Sequence, residues 1–322
     1  MRDSGMKFTR MTAWMIAAVL AAQAPTYAWG PVGHMAVAYV AYQQLDHSTK
    51  DRVDALLMLN PDRKNWLSLL PKKVSSKEKK MRIFMIAATW PDRIKSLTQY
   101  SDDSDINKGN RPNGKPSNSQ NIGYSDLFKH KYWHFIDTPF SQDGTPLDPI
   151  PDPNAQTQII AFRKVIASSD PDALKSYDLS WLLHLVGDVH QPLHAAARFS
   201  ADVHGDDGGN LVMLCKKPCK DELHGFWDGL PGSGNLPSTA ITYAKKLSPA
   251  GPEASDLDTT HWINESFDLA KNNVYVDPPI GKGGAGPYTL TNKYKTDAKL
   301  LAQKQIALAG MRLGKMLNAE LK

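Results

Sequence analysis

The sequence has 322 residues, 41% hydrophobic and 22% charged, with a formal net charge of +5. That length can bury a large core, while so weak a charge excludes arguing nucleic-acid binding from charge alone. The two cysteines, Cys215 and Cys219, permit one local disulfide in an oxidising compartment. A two-cysteine zinc half-site is the alternative, but no second pair at matching spacing accompanies it, so the disulfide is favoured.

In chain order, Lys7 and Arg10 precede an apolar run from Met11 to Ala22, followed by Pro25-Thr26-Tyr27-Ala28. This pattern predicts a secretory signal peptide over residues 1–28, too short in its apolar run to span a membrane. The mature chain would begin at Trp29 and form one domain over 29–322, secreted or periplasmic. Without Arg2, Asp3, Lys7 and Arg10 the net charge falls from +5 to +3.

A helix is predicted from near Pro31 with His34 in its first turn, then a second, capped by Ser48 or Thr49, through Leu59. Residues 80–97 carry another helical pattern interrupted by Pro91. Residues 100–125, rich in Ser, Asp, Asn, Gly and Pro, predict an exposed mobile loop. The run Tyr132-Trp133-His134-Phe135-Ile136-Asp137 fits strand or helix. Helices follow at 154–168, 238–247, 256–272 and 292–319, with a turn or two at 222–230 carrying His224 and Asp228. The fold class is all-α, with at most a short β-hairpin near 210–220.

The densest stretch is residues 181–195, Trp-Leu-Leu-His-Leu-Val-Gly-Asp-Val-His-Gln-Pro-Leu-His-Ala. Its apolar residues leave almost no solvent face, so the helix is expected to be buried. His184 and Asp188, four apart, share one face. Gly187 allows a close approach to the backbone, and Pro192 ends or kinks the helix before His194. Imidazoles and carboxylates in a dry core must be hydrogen-bonded, neutralised or bound to a cation. His224 and Asp228 repeat the same spacing. Two such pairs, with His194 and a buried-looking Asp92, point to a zinc site without thiolates rather than to a hydrogen-bonded core network.

These motifs resemble the trinuclear-zinc, single-strand-specific nucleases, the family of mung bean nuclease, whose structural cousins are the bacterial zinc-dependent phospholipases C. The resemblance rests on Trp-Gly-x-x-Gly-His at 29–34, Trp-Pro-Asp at 90–92 and His-Phe-Ile-Asp at 134–137. It continues through His-x-x-Gly-Asp-x-x-Gln-Pro-Leu-His at 184–194, Gly-Gly-Asn at 208–210 and His-x-x-x-Asp at 224–228. It implies a mainly helical phospholipase C/nuclease-like domain holding three Zn2+. One zinc would be held by Asp92, His134, His184 and Asp188. A second would share Asp188 and use His34 with the free amine and carbonyl of Trp29. The third would be held by His194, His224 and Asp228.

The resemblance further implies hydrolysis of single-stranded DNA and RNA to 5′-phosphate products, with 3′-nucleotidase activity left open. Asp92, Asp188 and Lys95 would be catalytic, Lys95 by contacting phosphate with Arg93 as a competitor, Phe135 would stack a base, and Asp137 would bind its edge. Asn210 would support the site. His190 is expected to be structural, and His47, His130, His204 and His261 to lie on the surface. A phospholipase C is the rival reading, although His-Phe-Ile-Asp and the Asp at 228 favour the nuclease; a non-catalytic zinc protein is a second rival. The partners implied are single-stranded nucleic acid and nucleotides, with a monomer and no membrane insertion. One Asn-x-Ser sequon, at Asn264, favours a bacterial source.

Overall fold

Two helices have almost no solvent face, and the other elements are arranged around them. The computed structural model describes residues 29–105, 111–112, 127–218 and 220–321. The expected signal peptide, most of the 100–125 stretch and Cys219 of the expected cysteine pair lie outside the described residues.

The helices, in order, begin with α1 (Pro31–Gln44), α2 (His47–Leu57), α3 (Arg63–Ser68), α4 (Ser76–Ala87) and α5 (Trp90–Ile94). A two-residue antiparallel pair follows, β1 (Ser104–Asp105) with β2 (Arg111–Pro112), inside the stretch expected to be loop. Tyr132-Trp133-His134 falls in a 3-10 turn, Lys131–His134, which leads into β3 (Thr138–Ser141). Then come α6 (Ala155–Ile166), α7 (Asp172–Asp188), a 3-10 turn at Pro192–His194, and β4 (Ala196–Phe199). The chain ends through α8 (Leu223–Asp228), α9 (Pro237–Ala244), α10 (Thr259–Leu269), a π turn at Ala270–Val274, and α11 (Asn292–Glu320).

The β content differs from expectation in place. Residues 210–220 contribute only an isolated bridge between Met213 and Glu222. The longer ladder is parallel, β3 on β4, pairing Thr138 with Ala196 through Ser141 with Phe199. Sequence alternation could not show it, because all four β4 residues are buried.

Caps and prolines set the helix boundaries. Asp46 caps α2, its carboxylate accepting from Thr49 N at 2.8 Å, so the cap lies before Ser48 and Thr49. Ser75 caps α4, and Asn154 with Thr157 forms a capping box on α6. Pro91 sits in the first turn of α5, where a missing N–H costs nothing, so the helical pattern breaks at Ala88–Thr89 rather than at the proline.

The central pair is α1 and α7. Helix α1 is flanked by α11, α9, α4 and α7, while α7 also meets α6, α2 and α5. Every residue of α7 from Lys175 to Asp188 is buried. Each fully buried leucine there (Leu179, Leu182, Leu183, Leu185) contributes about 1.5–3 kcal/mol. A second apolar cluster, with Leu193, Trp227, Tyr275 and Tyr294, forms behind α8. Trp227 donates to the Tyr294 hydroxyl at 3.0 Å, tying α8 to α11. No helix among the described residues is long and apolar enough to cross a membrane.

One α7 carboxyl has no hydrogen-bond partner among the described residues. Both Asp178 oxygens are buried without a hydrogen bond, and burial, with the Asp170 charge second, pushes the group up to about 9. Below the ordinary value of 3.8 the carboxyl is neutral in both states; between there and about 9 only the unfolded chain ionises, so stability falls as pH rises. Asp178→Asn is expected to raise Tm at pH 7 and to leave it nearly unchanged at pH 4, measured by thermal unfolding of both proteins. Equal shifts at the two pH values would show that titration of Asp178 is not the cause.

Candidate metal centre

The C-terminal half of α7 meets α1 where Gly187 has no side chain. A Cβ on Gly187 would lie 3.0 Å from Nδ1 of His34, so glycine is what lets this imidazole lie against the helix. There His34 stacks on His184, ring centroids 3.8 Å apart. Asp188, one turn beyond His184, divides its carboxylate between two sides. Its Oδ1 lies 3.3 Å from His34 Nε2, and its Oδ2 lies 3.0 Å from His134 Nδ1 and 3.2 Å from His184 Nε2.

Asp92 closes the group from the first turn of α5. Its Oδ1 is 3.6 Å from His184 Nε2 and 3.8 Å from His134 Nδ1, and its Oδ2 is 3.9 Å from His34 Nε2. Lys95, one helical turn on, bonds Asp92 Oδ1 at 2.8 Å and brings a cation to its edge.

Past Pro192 the chain turns, and His194 meets the face of α8. Nε2 of His194 and Nε2 of His224 are 3.1 Å apart, and Asp228 Oδ2 lies 3.2 Å from His224 Nε2. Among the described residues three groups result, the donor atoms within each lying no more than 4.8 Å apart: His34, His184 and Asp188; Asp92, His134 and His184; and His194, His224 and Asp228. All are buried.

Backbone carbonyls orient these rings. His184 Nδ1 bonds Ala88 O at 2.8 Å, His194 Nδ1 bonds His134 O at 2.7 Å, and His224 Nδ1 bonds Gly208 O at 2.8 Å. A carbonyl only accepts, so each Nδ1 carries a proton and each Nε2 of a neutral ring points its lone pair into the centre. His194 and His224 thus aim two lone pairs at each other, an arrangement that needs a proton or a cation between them. Asp188 Oδ1 and Asp228 Oδ2 are buried and accept no hydrogen bond. The donor chemistry and the orphaned oxygens both fit a bound metal ion.

The electrostatics follow from burial. His134 and His194 are pushed well below 6.5, by burial first, then by Lys95 for His134 and by His224 for His194. Burial raises Asp188 to about 6, with the His184 ring pulling the other way. Burial opposes charge on His224 too, but the Asp228 carboxylate overcomes it and raises the ring to about 9. A metal ion would take the place of that proton.

Other candidate residues sit as follows. Trp29 is fully buried beside Gly33, and Gly30 N bonds Asp228 O at 2.9 Å, which pins the start of the described chain to the end of α8. In the 322-residue chain the Trp29 nitrogen is a peptide nitrogen. Phe135 is half-buried in extended backbone between His134 and Ile136, while Asp137 has φ +54, a left-handed conformation uncommon outside glycine. Ile136 N and Thr138 N bond the carbonyls of His194 and Ala195, so this segment runs beside the centre. Asn210 is not in the centre; its amide closes a turn on Asp207 O at 2.7 Å.

His190 lies off the site. Its Nδ1 bonds Val186 O at 2.7 Å, its Nε2 accepts from Arg312 at 3.0 Å, and burial with the Arg312 charge lowers it to about 3. His47, His204 and His261 are exposed. His130 is not at the surface: it stacks on Trp133 at 3.6 Å and bonds Asp103 at 2.6 Å. The adjacent aromatic run supplies that burial.

Gln191 had no role assigned from sequence. Its Nε2 donates to Asp228 Oδ1 at 2.8 Å and its Oε1 accepts from Leu193 N, so it turns the free Asp228 oxygen toward His224. Its place between Asp188 and His194 was the available signal. The carbonyls of Ala88 and Gly208 were out of reach of sequence reasoning, since they act through backbone alone. Gly208 has φ +59, and a Cβ there would meet Leu193 O at 2.4 Å.

The family model described as S1/P1 Nuclease matches residues 29–322. Endonuclease 5 of Arabidopsis thaliana is 26% identical over 256 residues, covering 71% of this chain and 75% of that protein. Nuclease S1 of Aspergillus oryzae is 25% identical over 331 residues, covering 94% of this chain and 95% of its own. Endonuclease 4 of Arabidopsis thaliana is 30% identical over 172 residues, covering 47% of this chain and 54% of that protein. The family match takes in all three His/Asp groups, and this chain belongs to the S1/P1 nucleases, metal-dependent hydrolases of nucleic-acid phosphodiesters.

Proposed function

We propose that this protein is an exported, monomeric, zinc-dependent endonuclease that cleaves single-stranded DNA and RNA to 5′-phosphate products, with 3′-nucleotidase activity at the same site. The convergence of three buried His/Asp groups beside the Phe135–Asp137 segment carries this reading. One group is Asp92, His134, His184 and Asp188; the second shares Asp188 and adds His34 and the Trp29 terminus; the third is His194, His224 and Asp228. Three zinc ions held by these residues would lower the pKa of bound water from 15.7 toward about 7 and would offset negative charge on the phosphate.

The chain's own groups do the positioning. Asp188 presents one oxygen to His34 and the other to His134 and His184, so a single carboxylate holds two sides of the centre in register. Asp92 accepts the hydrogen bond that aligns the attacking water, and Lys95, now on Asp92 Oδ1, donates to a non-bridging phosphate oxygen. Phe135 stacks an unpaired base, and Asp137 accepts from its edge. A paired base cannot present its face to Phe135, which gives the preference for single strands. Asn210 supports the site through its bond to Asp207 O, which closes the turn carrying Gly208, whose carbonyl orients His224.

The Trp29 amine is a ligand only when it is not acylated, so removal of residues 1–28 completes the centre. Export also supplies the oxidising compartment that a Cys215–Cys219 disulfide requires.

Purified mature protein is expected to cut single-stranded DNA and RNA, leave 5′-phosphates, and lose activity to a chelator. Asp188→Ala should abolish turnover, whereas Phe135→Ala should raise KM by about 5–150-fold, the equivalent of about 1–3 kcal/mol of stacking, with little change in kcat. Phosphatidylcholine hydrolysis without nuclease activity would sink the reading. Separately, a protein beginning one residue before Trp29 should bind one zinc fewer by native mass spectrometry; full zinc content in that protein would remove Trp29 from the ligand set.

A further inference from the structure

The net charge of residues 29–322 is concentrated in one place. Residues 63–82 hold Arg63, Lys64, Lys72, Lys73, Lys77, Lys79, Lys80 and Arg82 against Glu78 alone. That is +7 in a mature chain of +3, so the remainder carries −4. The nearby acids are already matched: Arg82 bonds Glu78 at 2.6 Å, and Lys80 faces Asp54 at 3.0 Å and Asp51 at 3.6 Å. Lys64, Lys72, Lys73, Lys77 and Lys79 are exposed and make no ion pair with any described residue.

This basic segment borders a cleft of about 270 Å³ between α1 and the start of α4. Tyr39, Tyr42, Lys50, Ser75, Lys77 and Met81 line it, together with Gln43 and with Glu78, the carboxylate that Arg82 pairs. Tyr39 is half-exposed, while Tyr42 is buried under Lys50, whose ammonium lies 5.5 Å from its ring centre. Aromatic rings flanked by lysines are the combination that holds an unpaired base and its phosphates without regard to sequence. The other end of α4 runs into Ala88, whose carbonyl orients His184. Along α4 the cleft extends from about 18 Å away from that carbonyl, at Ser76, to about 10 Å, at Met81.

We propose that this cleft and the lysines around it form an exosite for single-stranded nucleic acid, gripping the strand away from the scissile bond. A base stacks on Tyr39, and Lys72, Lys73, Lys77 and Lys79 take phosphates. The inference rests on the nuclease reading for its ligand, and it predicts a preference for long strands over dinucleotides.

The test compares the zinc-loaded mature protein with a Lys72→Ala/Lys73→Ala/Lys77→Ala/Lys79→Ala variant, the matching four-fold Lys→Arg variant, and Tyr39→Ala. Fluorescence anisotropy with a nuclease-resistant phosphorothioate 30-mer should show the four-fold alanine variant binding about tenfold more weakly. Its log–log salt slope should be smaller by about 3, at about 0.7 per lost contact on a single strand. Tyr39→Ala should weaken binding with the salt slope retained, and the arginine variant should bind like the parent. Hydrolysis of a dinucleotide should be unchanged in all three, while KM for a cleavable 30-mer rises in the alanine variants. Unchanged 30-mer affinity and salt slope in the four-fold alanine variant would overturn the exosite whether or not the parent cuts. Equal losses on dinucleotide and 30-mer would overturn it as well. A parent that binds the 30-mer through these lysines but cuts nothing would instead overturn the nuclease reading.

Discussion

Everything in this structure is subordinate to seating imidazoles and carboxylates in a dry interior. His34, His134, His184, Asp188, His194, His224 and Asp228 are nearly inaccessible to water, and no apolar environment tolerates such groups unmatched. Proton allocation resolves half of the problem. Carbonyls of Ala88, His134 and Gly208 each accept one Nδ1–H, and each ring is left with its Nε2 facing inward. A cation at the centre resolves the other half. Without one, His194 and His224 oppose their lone pairs and Asp188 Oδ1 stays unbonded, so the polypeptide is only part of the folded site.

Helix α7 supplies the geometry and the surrounding helices the stability. Its spacing stacks His184 over Asp188, its glycine admits His34 from α1, and its end at Asp188 frees the chain to turn through Pro192 to His194. Elements adjacent in space but far apart in sequence then close the site. Asp92 arrives from α5, His134 from the turn before β3, and His224 with Asp228 from α8. The parallel pairing of β3 with β4 keeps the Phe135–Asp137 segment against His194. Gln191 and Arg312 belong to the same construction, the first orienting Asp228 and the second holding His190, just past the end of α7, off the centre.

Sequence made His184 with Asp188 and His224 with Asp228 legible as repeated His-x-x-x-Asp spacings, which a helical period converts directly into shared faces, while His34, Asp92, His134 and His194 were legible through the ordered motifs around them. The helices were legible for the same reason, and their boundaries less so. Asp46 rather than Ser48 caps α2, and the break after α4 falls before Pro91, because a cap depends on where a side chain can reach and a first-turn proline is tolerated. What stayed hidden was backbone chemistry: the carbonyls that orient the rings, and the parallel strand pair whose fully buried β4 shows no alternation. His130 was misread as a surface residue because its partners, Asp103 and Trp133, become neighbours only after the intervening chain folds back.

The central claim is that these groups are metal ligands and not a hydrogen-bonded core. Anomalous diffraction at the zinc edge from crystals of the mature protein tests it most directly. The account predicts three peaks: one among Asp92, His134, His184 and Asp188, one between Asp188 and His34 at the Trp29 terminus, and one among His194, His224 and Asp228. A map from zinc-supplemented crystals with no peak at these residues would contradict it.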